Sequence, residues 1–165
     1  MLRQIVTFLF AIALAWGWTF PANAQMGAYK PPVSYSNEYL VGKDFSEQVL
    51  PTAEFANCNL AESNFSKADL RGAVFSVSLM ENANLQGADL SYAVVDGTDL
   101  RGADLTDTVW VESILLGTLF KGANIKGADF TGAILDRAQT KELCEMATGT
   151  NPKTGVSTRD SLLCP

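Results

Sequence analysis

The sequence predicts an all-β solenoid of four-sided coils, and three spacings predict it. Counting by fives from Leu40, every position through Leu135 is apolar, including Phe45, Phe55, Leu85, Leu105, Trp110 and Phe130. Two positions before each of these centres, from residue 53 onward, stands a small residue, as at Ala53, Cys58, Ser63, Ala68 and Ala133. The residue just before the centre is apolar at Val74, Val94, Ile114 and Ile134, a spacing of 20. A helix repeats about every 3.6 residues and a strand every second one, so neither alone gives a period of five.

Strand geometry supplies the missing step. Residues two apart on an extended chain point the same way, so the small residue and the large centre both face inward. The other three residues face out or make a bend, and Gly often falls two after the centre, as at Gly72, Gly87, Gly102 and Gly127. Gly tolerates the backbone angles of a tight corner. Each unit is one short side, and a spacing of 20 makes four sides per coil. Twenty centres therefore make about five coils, a shaft of roughly 24 Å at ~4.8 Å per coil.

The elements follow in chain order. Residues 1–24 read as an export signal peptide: Arg3 gives a positive start, Ile5 to Phe20 is apolar, and Ala22-Asn23-Ala24 is a small-x-small cleavage site. The rival, a retained anchor, meets a run shorter than the ~20 residues a spanning helix needs. Residues 25–37, with Tyr29, Pro31, Pro32 and Tyr35, read as an extended lead-in. The lattice occupies 38–137. Glu38, Lys43 and Gln48 stand where small residues belong, which predicts an irregular first coil, and the bulk of Trp110 predicts a widened one.

Residues 138–165 read as a helical C-terminal cap over the open end of the solenoid. Thr140 to Ala147 is the expected helix with Thr140 as N-cap, GTNPKTG (149–155) is a turn-rich link, and Ser157 to Asp160 is a capping box opening a second turn. Export implies an oxidising compartment, so Cys144 and Cys164 are expected to form a disulfide that ties these pieces together. Its closure of a short loop is worth roughly 3 kcal/mol in the chain-entropy reckoning. Cys58 is expected to be a buried free thiol. A redox-catalytic pair would need a CxxC spacing, which the chain lacks.

The A(D/N)LxG units of residues 40–137 resemble the pentapeptide repeat family. The resemblance implies a right-handed quadrilateral β-helix of pentapeptide repeats, here of about five coils, with a short disulfide-tied α-helical C-terminal cap. The exported start and the tail LCEMATGTNPKTGVSTRDSLLC further resemble cyanobacterial and chloroplast members of the thylakoid lumen. Localisation in a thylakoid lumen or a periplasm is what that resemblance implies.

Composition excludes several functions. The chain has 165 residues, net charge −6 and no histidine, which removes the commonest general base and metal ligand. Signal cleavage makes the mature chain −7, poorly suited to nucleic acid. No nucleophile has a base beside it, so no catalytic residue, cofactor or metal site is expected. Asp69, Asp89 and Asp129 stack outward, but Val109 interrupts the column and solvated surface is the simpler reading. Asn64, Asn84, Asp104 and Asn124 stack on another side and resemble an amide ladder.

The outward apolar set is Val74, Leu79, Val94, Val109, Val111, Ile114, Leu116, Leu119 and Ile134. A contiguous apolar patch on an exported protein is either covered by the chain's own ends or meets a partner. The expected function is thus a non-enzymatic interaction or scaffold module for an unidentified protein partner, with no membrane association after signal cleavage. The solenoid ends and the stripe also offer surfaces for a homodimer. The alternative is an acidic DNA mimic acting on DNA gyrase, as the family resemblance suggests. Lys67, Arg71, Arg101, Lys121 and Lys126 break its acidic faces, and export separates it from gyrase.

Overall fold

The computed structural model describes residues 31–165; the expected signal peptide and residues 25–30 of the lead-in lie outside them. Parallel β-bridges join residues twenty apart, from Ser34 with Glu54 to Ile114 with Ile134. The spacing of 20 is therefore one turn of the coil. Within it, each centre donates its N–H to the coil above, as Leu85 does to Asp104 O at 2.8 Å. Each outward residue donates to the coil below, as Asp104 does to Ala83 O at 2.9 Å.

The sides are shorter than ordinary strands, and the corner explains why. Most corners close with a bond such as Ala88 N–H to Leu85 O, 2.9 Å, leaving only the small residue, the outward residue and the centre extended. The residue two after the centre has positive φ at every corner from Asn37 to Gly132. Only some are glycine; Glu47, Thr52, Lys67, Val77 and Tyr92 hold the same left-handed angle. Closure of the coil imposes the corner even where the residue disfavours it.

Asn and Asp recur before the centre because their side chains hold that corner. Asp89 Oδ1 accepts from Ser91 N–H at 3.1 Å, and Asn84 Oδ1 from Gln86 N–H at 3.0 Å. Asp69, Asp99, Asp104, Asn124 and Asp129 do the same. This is the local side-chain turn that suits these residues to bends. The expected amide ladder is thus mostly a series of bonds within each coil; Asn64 alone of its column donates to the residue below, Asp44 Oδ1, at 3.1 Å.

The centres fill the shaft completely: Phe55, Leu60, Phe65, Leu85, Leu105 and Trp110 have no exposed surface. Tyr35, Phe55 and Phe75 stack on one wall, with centroids 4.9 Å apart at each step, and Phe45 stacks on Phe65 opposite. Higher up, the aromatics move to the other two walls as Trp110, Phe120 and Phe130, while Val95, Leu105 and Leu115 replace them. The exchange keeps each layer's volume near constant, as close packing requires. Trp110 therefore widens nothing: the bridges Asp89–Val109 and Val109–Asp129 run on in register, and its indole donates to Thr108 Oγ1 at 2.8 Å. Buried hydroxyls find carbonyls, as Ser78 finds Phe55 O and Thr98 finds Phe75 O, both at 2.6 Å. Cys58 is a buried free thiol whose pKa burial raises.

The ladder begins at Ser34, ahead of residue 38, with Tyr35 stacked in the core column. The first coil is regular, since Tyr39, Asp44 and Val49 bridge the coil above; Glu38, Lys43 and Gln48 stay exposed. At the other end, α1 (Arg137–Met146) starts four residues earlier than the sequence suggests. Its N-cap is Asp136, not Thr140, in a reciprocal capping box with Gln139. A second helical turn, α2 (Thr158–Ser161), is capped by Ser157, whose Oγ accepts from Asp160 N–H, though without the reciprocal bond of the expected capping box. A disulfide joins Cys144 to Cys164.

The cap stands in for the missing next coil. Gln139 lies twenty residues beyond Leu119, and its Nε2 donates to Thr118 O at 2.8 Å and Leu115 O at 2.7 Å. Leu119 N–H makes the equivalent bond to Thr98 O one coil below. Gly127 N–H finds Thr148 O, and Phe130 N–H finds Ser161 Oγ. The exposed edge is closed by groups that copy the ladder.

Candidate interaction face

The four walls carry different outward residues. One continuous column runs Ser34, Glu54, Val74, Val94, Ile114, Ile134. Its aliphatic part stacks at the coil spacing, so Val74, Val94 and Ile114 half-bury one another while Ile134 remains 49% exposed. The next wall holds Leu79 and Leu119, 47% and 52% exposed, with Val77 and Leu116 at the corner between the two walls. Between Leu79 and Leu119 sits Asp99, clamped by Arg101, which also reaches Glu81 Oε1 at 2.7 Å.

Eight of the nine expected patch residues are thus at least partly open, and one is not. Val109 is only 3% exposed. It belongs to the wall of Asp69, Asp89 and Asp129, which the segment 149–155 crosses. Asn151, fully buried, donates to the carbonyls of Asp107, Thr108 and Gly127 at 2.8–3.2 Å. Lys153 then pairs with Asp89 at 2.5 Å. The sequence placed Val109 at an outward position and offered cover by the chain's own ends as one reading of the apolar set, and at Val109 the C-terminal segment supplies that cover. Asn151 and Gln139 were missed for one reason: each looks like a turn or helix residue, and its role is to bond a wall distant in sequence.

Two members of the acidic column are tied up in pairs, Asp69 with Arg71 and Asp89 with Lys153; Asp129 accepts only from Thr131, and its buried Oδ2 has no hydrogen-bond partner. The Arg71 hydrogen bond holds the Asp69 carboxyl below its usual range, and Arg101 does the same for Asp99. At Asp89 burial pushes upward, but the bonds from Lys153 and Ser91 outweigh it and leave its pKa lowered. Among the described residues no group of three or more His, Cys, Asp or Glu could hold a metal ion. No helix there is long and apolar enough to cross a membrane.

Comparison with known proteins adds the following. A family model described as a pentapeptide repeat region matches residues 48–130. No curated protein matches the chain. Among solved structures, a pentapeptide repeat protein from the Arabidopsis thaliana thylakoid lumen is 42% identical, with a TM-score of 0.55 over 78% of this chain and 90% of that one. HetL, a pentapeptide repeat protein involved in heterocyst differentiation regulation from the cyanobacterium Nostoc sp. strain PCC 7120, is 24% identical. Its TM-score is 0.59 over 61% of this chain and 42% of that one, a similarity of fold alone.

Proposed function

The chain belongs to the pentapeptide repeat family, and on that premise we propose that it is an exported, non-enzymatic module that presents its aliphatic wall to a protein partner. One observation carries this reading. Asn or Asp at the outward position stabilises the corner, yet four successive coils place Val74, Val94, Ile114 and Ile134 there and forgo that bond. A local rule broken four times in one column points to use of that column. An aliphatic, rigid, nearly flat surface suits a protein partner. The Cys144–Cys164 disulfide and the lumenal origin of the relative that is 42% identical support an oxidising, lumen-like compartment.

The test separates fold from function. Replacing Val94 and Ile114 by Asn restores the corner bond, worth about 1 kcal/mol each, and removes aliphatic surface of similar value. The double variant is expected to keep its melting temperature within about 3 °C. Photo-crosslinking of the mature protein in a lumen extract is expected to yield a discrete adduct with the wild type and none with the variant. An adduct of undiminished yield would reject this wall as the contact surface.

A further inference from the structure

We propose that the C-terminal cap carries a second site, separate from the aliphatic wall, that binds an amphiphilic anion with an aliphatic chain and a single anionic head. A cleft of about 850 Å³ opens beside α1, lined by Arg137, Lys141, Arg159 and Glu145, with Leu135 and Leu163 at its apolar edge; Arg159 is held by the oxygens of Cys144 and Pro165, at 3.2 and 2.8 Å. A smaller hollow of about 300 Å³ shares Leu135 and Leu163 and is walled by Phe130, Ala133 and Leu162. The two adjoin along Leu135, Thr140 and Leu163, so aliphatic and cationic side chains line one open groove. That is the pattern of an apolar cavity with a few converging charges.

Two local irregularities meet at this groove. Leu163 has φ 54° and is 89% exposed, held there by its N–H to Asp160 O and by Cys164 N–H to Arg159 O. A left-handed residue ending a helix is ordinarily glycine; a leucine there carries strain and offers an aliphatic side chain to the groove. Beyond its N-cap Asp136, α1 places no charge that serves its dipole, which favours acids at the start and bases at the end. Arg137 opens the helix, no acid lies in its first turn and no base in its last. Arg137 and Lys141 make no ion pair among the described residues. In a chain of net charge −6, two uncommitted cations facing one hollow are a recognition feature.

Calorimetric titration of the mature protein with dodecanoate, below its micellar range, tests the site. Saturable one-to-one binding is expected, with acetate inert. Arg137→Gln with Lys141→Gln removes head contacts, and Leu163→Gly removes the aliphatic edge while relieving the strained turn. Each variant is expected to weaken binding at least about tenfold, the scale of one lost leucine contact, and Leu163→Gly is expected to melt no lower than the wild type. Absent saturation, or affinity unchanged in either variant, overturns the proposal. Binding to phosphatidylglycerol vesicles without binding to free dodecanoate overturns it too, and assigns the cations to a membrane surface.

Discussion

Val77 shows what a single residue concedes to this architecture. It is β-branched, 64% exposed, and held at φ 58°, where a side chain carrying Cβ costs roughly 1–2 kcal/mol. Directly below it, Asn57 occupies the same kind of corner and donates to Asn37 Oδ1 at 2.8 Å. Val77→Asn is therefore expected to carry that amide bond one coil further while easing the backbone, since Asn tolerates the left-handed region. The gain is about 1 kcal/mol, a rise of about 3 °C in melting temperature. A scanning-calorimetry midpoint that falls instead would show that corner strain is not relieved by this substitution.

Among the elements, the cap depends most on one side chain. Gln139 accepts from Asp136 N–H and donates to two carbonyls of the wall below. Gln139→Glu keeps the capping-box acceptor, for which Glu is a usual choice, but it cannot donate. It is expected to destabilise the protein by about 2 kcal/mol or more, as an unmet buried acceptor requires. Denaturant midpoints of Gln139→Glu and Gln139→Ala would check it; a Glu variant matching the wild type would mean that capping alone matters. The walls were legible in the sequence because each unit repeats its own reasons: a small residue, a corner-holding Asn or Asp, a large centre. The cap start was less so, because Asp136 also falls on a lattice corner and reads as one more bend. That a chain end could cover part of the apolar set was legible, but that Asn151 would bring it over Val109 was not, because it bonds residues some forty positions away.

At the scale of the molecule, charge pairs set the response to acid. Asp69, Asp89 and Asp99 have folded-state pKa values below their ordinary ones. Their contribution is therefore complete above the unfolded value, about 3.9, and is lost as pH falls through the lowered ones. The chain has no histidine to titrate between pH 5 and 8. Melting temperature is expected to be level from pH 5 to 8 and to drop below about pH 4; a step near pH 6 in a pH series would contradict this. The bridges between residues twenty apart also constrain how such a chain can change length. Deleting a single five-residue unit would leave every side chain pointing in or out as before, yet turn all later walls by a quarter circle and shear the aliphatic column in two. Losing or duplicating twenty would slide the column intact, so a lineage keeping this surface in use can lengthen or shorten its shaft only by whole circuits.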